Sequence, residues 1–251
     1  MSKIIALFNQ AGGVAKSTLT INLGYHLGIL GKKILLVDMD PQASLSIFMG
    51  LEPENLEKTV YEAILVGETM PIQQNIHGMD LVAANINLSG AELELVVADM
   101  RDIRLKDALK PIKKNYDFIL IDCPPSLGIL SYISLVASTH VLIPIQTQYK
   151  ALKGTELLLK TISRVKERAN RRLKIAGIVP TMHDSRTVQD QMSLESIQHQ
   201  LVKVGKVYPP ISRSVAFVDA SQDHLPLALY NRSHPAVKIL AEIANSLIKL
   251  K

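Results

Sequence analysis

Two patterns of hydrophobic positions alternate along this chain. Continuous apolar runs at residues 4–8, 34–37, 81–84, 118–121, 141–145 and 175–179 read as strands buried on both faces, as in a parallel sheet. Shorter strand candidates lie at 206–208 and 227–229. Between the runs, apolar residues recur at helical spacing over 17–30, 59–66, 91–97, 104–113, 127–137, 151–170, 187–204 and 235–249. Strands alternating with helices predict an α/β fold, a doubly wound, mostly parallel sheet flanked by helices. The pattern shows no repeat, low-complexity tract or linker, so one domain over residues 1–251 is expected.

In such sheets ligands sit at the carboxyl ends of strands, and the polar residues worth attention follow the strands directly. After the first run comes Asn9-Gln10-Ala11-Gly12-Gly13-Val14-Ala15-Lys16-Ser17-Thr18, and then a helix. Strand, glycine-rich turn, Lys-Ser-Thr and helix is the arrangement that cradles nucleotide phosphates. Backbone N–H groups of residues Ala11 to Thr18 line the turn, and the helix N-terminus adds partial positive charge. Lys16 reaches the outer phosphates, and Ser17 offers a hydroxyl to Mg²⁺. The strict pattern G-x-x-x-x-G-K-[ST] fails twice, because Gln10 and Ala15 stand where its glycines belong. If Ala15 needs a left-handed backbone, its Cβ costs about 1–2 kcal/mol; if the backbone is right-handed it costs nothing, and the sequence leaves both open. The second strand ends in Asp38-Met39-Asp40-Pro41-Gln42, the fourth in Asp122-Cys123-Pro124-Pro125. Asp122, delivered by four apolar residues, fits a carboxylate of the Mg²⁺ shell. Asp40 reads either as an N-cap before Pro41 or as part of that shell. Cys123, the single cysteine, reads as a small buried hydrophobe rather than a redox centre.

Charge changes the picture in the C-terminal half. Residues 1–145 hold 11 basic and 15 acidic side chains, and residues 146–251 hold 17 basic and 8 acidic ones. Residues 160–174 concentrate Lys160, Arg164, Lys166, Arg168, Arg171, Arg172 and Lys174 against the single acid Glu167. Leu158, Ile162, Val165 and Ala169 form the apolar face of that helix, so Lys160, Arg164 and Arg168 line another. Such a stripe contacts phosphates without reading bases, and an ordinary solvated face is the alternative. One cysteine, an immediate first strand and no apolar run near 18 residues lead to the expectation of a cytoplasmic chain without signal peptide, membrane span or added DNA-reading domain.

Gly12, Gly13, Lys16 and Ser17 match the deviant Walker A pattern K-G-G-x-G-K-[TS], so the chain resembles the ParA/Soj/MinD-type ATPases. The likeness continues through Gln146–Gly154, Gly177–Thr187 and Ile211–Tyr230, covering nearly the whole sequence. It implies ATP and Mg²⁺ as cofactors, a hydrolytic role for Asp38, and metal contacts from Ser17, Asp40 and Asp122. It further implies an adenine wall from Pro180, Met182, Pro209 and Pro210, and DNA contacts from Lys160, Arg164, Arg168, Arg171 and Arg172. The cycle it implies is an ATP sandwich homodimer that binds nonspecific nucleoid DNA. A ParB-like or McdB-like adaptor then triggers hydrolysis and release, with no membrane in the cycle. The family's signature lysine falls on Ala11, and the carboxysome-positioning McdA-type branch shares that departure. Lys150 is the candidate substitute cation, with Lys153 behind it and a solvated first-turn lysine as the alternative. A non-hydrolysing ATP-dependent scaffold and a MinD-like membrane-surface ATPase are the rival expectations.

Overall fold

The computed structural model describes residues 2–251, apart from the side chains of residues 149–153. Seven strands form one sheet: β1 Lys3–Leu7, β2 Ile34–Asp38, β3 Ile72–Ile76, β4 Met79–Val82, β5 Phe118–Asp122, β6 His140–Gln146 and β7 Lys174–Thr181. Their order is β3-β4-β2-β5-β1-β6-β7, and every pair is parallel except the edge hairpin β3–β4. The helices are α1 Lys16–Ile29, α2 Ser44–Phe48, α3 Leu88–Val97, α4 Arg104–Leu109, α5 Ile129–Ala137, α6 Tyr149–Arg168, α7 Val188–Leu201, α8 Ala216–Gln222, α9 Leu227–Tyr230 and α10 Pro235–Ile248.

The strands are apolar on both sides because each side meets its own helix layer. Ile4, Ala6 and Phe8 pack with Leu88, Leu105, Leu130, Leu158 and Ile197 of α3–α7. Ile5 and Leu7 pack with Leu19, Leu45, Ala220, Leu227 and Leu240 of α1, α2 and α8–α10. Such two-sided burial is what a parallel sheet demands. Helix α1 approaches β2 so closely at Gly24 that an added Cβ would stand 2.8 Å from Leu36 and Met79 side-chain atoms. Among the described residues no helix is long and apolar enough to cross a membrane.

Three elements differ from the sequence expectation. β3 carries Gln73, Gln74 and Asn75, and as an exposed edge strand it needs no apolar run. Residues 227–229 are helical instead of extending the sheet: Leu227 packs into the α1 face, and Leu229 is exposed. Residues 206–208 run beside β7 but make a single ladder bridge, Ile178 with Val207. The helix expected over 59–66 is present from residue 60 to 66, with Glu62–Val66 wound as a π-helix.

One buried group on α1 has no partner. Neither ring nitrogen of His26 is hydrogen-bonded among the described residues, and burial lowers its pKa. The neutral ring is therefore favoured by folding. Its contribution is complete above the unfolded value of about 6.5 and is lost as pH falls through the folded pKa. Thermal unfolding at pH 7 and pH 5 should show a larger drop in Tm for the wild type than for His26→Leu. Equal drops would remove His26 from the acid response.

Candidate functional site

The loop between β1 and α1 starts where β1 leaves the sheet, flanked by β5 on one side and β6 on the other. Asn9 fixes its entry: the side-chain amide donates to Pro144 O at 2.7 Å, and its Oδ1 accepts from Ala11 N at 3.0 Å. Gln10 Nε2 donates to Gly154 O in α6 at 3.1 Å. Gln146, at the end of β6, donates to Gly13 O at 2.8 Å, and the Thr181 hydroxyl donates to Val14 O at 3.2 Å. The loop is thus pinned by β1, β6, β7 and α6. Ala11, Gly12 and Gly13 are exposed, whereas the Val14 side chain is core, leaving only its backbone for a ligand.

Ala15 takes φ 67° and ψ 31° immediately before α1, next to Gly13 at φ 70°. The question left by the sequence is answered: the position is left-handed, and the Cβ strain of about 1–2 kcal/mol is present. Glycine loses more entropy on folding, which offsets part of the gain. Ala15→Gly should therefore stabilise the protein by about 0.5–1 kcal/mol, read as a higher urea midpoint with unchanged m. A lower midpoint would contradict the strain.

Lys16 is buried and folded back onto its own loop. Its Nζ donates to Asn9 O at 3.1 Å and to Ala11 O at 3.0 Å. Burial lowers its pKa, opposed first by the charge of Asp122. The two strand-end acids lie at the same register on adjacent parallel strands, Asp38 beside Asp122. Both are fully buried. Asp38 is held by the loop it leads into, accepting from Asp40 N at 3.0 Å, Ser46 N at 2.9 Å and Ser46 Oγ at 2.7 Å. Burial pushes its pKa up to about 7, against the pull of those hydrogen bonds. Asp122 differs. Neither carboxylate oxygen has a hydrogen-bond partner among the described residues, although Ser17 and Lys16 are close enough to oppose the shift. Burial, and then the charge of Asp38, raise its pKa well above the usual carboxylate range. Asp40 Oδ1 accepts from Gln42 N at 3.0 Å and caps a turn; it is not the helix N-cap that Asp-Pro suggests, because α2 begins only at Ser44 with Ala43 at its N-cap. Cys123 is fully buried and its thiol is pushed up to about 12, which disfavours a reactive thiolate.

Beside the loop opens a cleft of about 1250 Å³. Gly13, Ala15, Thr18, Gln146, Met182, His183 and residues of the 211–218 segment line it. Of the four residues expected to wall a base, Met182 is a lining residue, in a left-handed conformation of φ 53°. Pro180, Pro209 and Pro210 are not lining residues. Pro180 is a buried β7 residue whose carbonyl accepts from Ile211 N at 2.9 Å, so the chain after it, not its ring, forms the wall. His183 carried no signal in the sequence. It is buried, 3.3 Å from the Thr147 hydroxyl, which in turn donates to Asp190 at 3.0 Å.

Helix α6 runs from this loop toward the opposite end of the sheet, about 30 Å for its 20 residues. Leu158, Ile162 and Val165 are buried, whereas Lys160, Arg164, Arg168, Arg171 and Arg172 are exposed. Lys160 pairs with Glu156 at 2.6 Å, and the four arginines make no salt bridge among the described residues. The basic cluster ends at the start of β7, at the amino ends of the strands and away from the loop. Lys150 and Lys153 fall outside the described side chains.

A family model described as an AAA domain matches residues 2–175. The sporulation initiation inhibitor protein Soj of Bacillus subtilis is 40% identical over 249 residues, 97% of each chain. The chain belongs to the ParA/Soj family. Among solved structures, a Mycobacterium smegmatis protein described as cobyrinic acid a,c-diamide synthase, with a bound ATP analogue and magnesium, is similar to this ParA/Soj member. Its TM-score is 0.88 at 34% identity, covering 99% of this chain and 95% of the other. The Cyanothece McdA–ATP complex superposes with a TM-score of 0.88 over 100% of this chain and 97% of its own, at 22% identity, a likeness of fold.

Proposed function

We propose that this ParA/Soj-family chain is a partitioning ATPase in which ATP and Mg²⁺ switch the protein between states. The observation that carries the reading is the orphaned Asp122 carboxylate, buried beside Asp38 and facing Ser17 and Lys16. A buried carboxylate without a donor is costly unless a cation completes it. Ser17 and Asp122, with Asp40 nearby, are the groups that would hold Mg²⁺. Among the described residues no three His, Cys, Asp or Glu side chains converge as a metal cage. That fits Mg²⁺, which is bound by one or two protein groups together with phosphate oxygens. When bound, the ion neutralises charge on the phosphates.

The chain's own residues supply the rest. The N–H groups of residues 11–18 face the phosphates at the amino end of α1. Lys16 exchanges its two loop carbonyls for phosphate oxygens. Asp38, raised to about 7 and anchored by Ser46, orients the attacking water. Met182 and the 211–218 segment receive the base. Ala11 supplies no charge to a partner's nucleotide, and Lys150 replaces the missing cation across the homodimer. Turnover is slow until an adaptor of the ParB-like or McdB-like kind binds.

DNA binding belongs to the exposed arginines of α6 and the turn after it, and the phosphate contacts are read without sequence. Because this face lies at the far end of the sheet, ATP acts on it through the dimer, which places two basic faces on one duplex. Helix α10 favours DNA over a membrane surface: Leu240, Ile243, Ala244 and Leu247 are buried in the α1 layer instead of forming a free apolar face. The proposed site of action is the nucleoid, and the cargo is a plasmid, chromosome region or protein organelle such as a carboxysome.

Retention of the protein on a nonspecific duplex, with no nucleotide, ADP or ATP plus Mg²⁺ at two salt concentrations, tests the reading. Salt-sensitive binding with ATP alone is expected. Binding indifferent to nucleotide, or absent in all states, overturns it. The strained Ala15 and uncharged Ala11 also support a second reading, a scaffold that binds ATP without turnover. Steady-state phosphate release with DNA present separates the two.

A further inference from the structure

Ser46 sits fully buried on α2, and its hydroxyl is held from two sides. Oγ accepts from Ala84 N, just past β4, at 3.1 Å. The same Oγ stands 2.7 Å from Asp38 Oδ2. A backbone amide can only donate and an ionised carboxylate can only accept, so the single hydroxyl proton points at Asp38. An exposed serine rotates freely between partners. This one has a fixed direction, running from Ala84 through Ser46 to the strand-end acid.

The consequence falls on the carboxylate. Ionised, it offers about four acceptor positions, two on each oxygen. Oδ2 receives Ser46 Oγ and also Ser46 N at 2.9 Å, whereas Oδ1 receives Asp40 N at 3.0 Å. Three positions are therefore filled among the described residues, and the fourth belongs to Oδ1. The clamp acts from the β4 side of β2, opposite to β5, the strand that carries Asp122. We infer that Ser46 is a positioning residue for ATP hydrolysis: by filling Oδ2 it turns Asp38 so that Oδ1 accepts from the attacking water. This role rests on the proposed part of Asp38 in orienting that water. It adds a residue that never touches the water, bound to the rate through the orientation of a neighbour. A carboxylate free to rotate would present either oxygen, and misplacement by about 1 Å can cost about a hundredfold in rate.

Phosphate release at saturating Mg²⁺-ATP, with nonspecific DNA present, tests the role in the full chain. The variants are Ser46→Ala, Ser46→Cys and Ser46→Thr, with Asp38→Ala as reference. Alanine should lower kcat by about a hundredfold while the Kd for ATP changes by about twofold or less, because the ground-state contacts do not include the hydroxyl. Cysteine is close to serine in size but a weak donor, and it should fall nearly as far. Threonine keeps the hydroxyl and should restore turnover to within about tenfold of the wild type. Wild-type kcat in Ser46→Ala, beside an inactive Asp38→Ala, overturns the role of Ser46 and leaves that of Asp38 standing. Cysteine as active as serine overturns it as well, since size and not donation then matters. So does a loss of ATP affinity as large as the loss of kcat, which would make the hydroxyl structural. Normal turnover in Asp38→Ala, or no phosphate release from the wild type, removes the reading of Asp38 itself and the role of Ser46 with it.

Discussion

Lys16→Met should lower ATP turnover by about a thousandfold, the loss expected when one preorganised cation leaves a phosphoryl-transfer site. The nucleotide-free protein should change far less. Lys16 Nζ is occupied by the buried Asn9 O and by Ala11 O, the second on an exposed residue that water can reach when the amine is gone. Lys16→Arg should not restore turnover, because a planar fork on a buried stem cannot reproduce a compact ammonium between two carbonyls. Phosphate release with saturating Mg²⁺ and DNA is the readout. Turnover within tenfold of the wild type would remove Lys16 from the mechanism, and a large fall in nucleotide-free Tm would make its role structural.

Asp122→Asn should have a comparable effect on turnover, about a thousandfold, and the opposite signature in stability. In the nucleotide-free protein Asp122 is a buried carboxylate with Asp38 beside it, and only the nearby Ser17 hydroxyl and Lys16 charge oppose the cost of its burial. A near-isosteric amide removes that like-charge repulsion, so the variant should unfold no lower than the wild type. What it should lose is the rise in Tm on adding ATP with Mg²⁺, since ligand stabilisation scales with affinity. Thermal unfolding with and without Mg²⁺-ATP checks both halves. If the variant is less stable without nucleotide and still gains with it, Asp122 is a structural residue and the metal assignment falls. Asp38 gives the contrasting case: tied to Ser46 and Asp40, it shapes its loop as well as facing the site, so its substitution mixes both effects.

Much of the site was legible because its parts are local. Asp38 and Asp122 end their strands, Lys16 and Ser17 open the helix after the loop that follows β1, and a short apolar run fixes where a strand ends and what it delivers. The alternation of runs and helices likewise sufficed for six of the seven strands. The base-side wall was not legible in the same way. Met182 lines the cleft while Pro180, Pro209 and Pro210 do not, because β7 pairing with the 211 segment decides which side chains face outward.

The sequence by itself determined the strand–loop–helix at residues 4–30, the two acids at strand ends and the basic face of α6, since each depends on residues within a few positions of one another. Tertiary structure alone decided the left-handed Ala15, the pairing of Asp38 with Ser46, the isolation of Asp122 and the polar edge strand β3. These depend on which distant segment packs against each residue. Burial, a missing donor or a clamped carboxylate is a property of neighbours in space, and the order of residues carries no direct record of it.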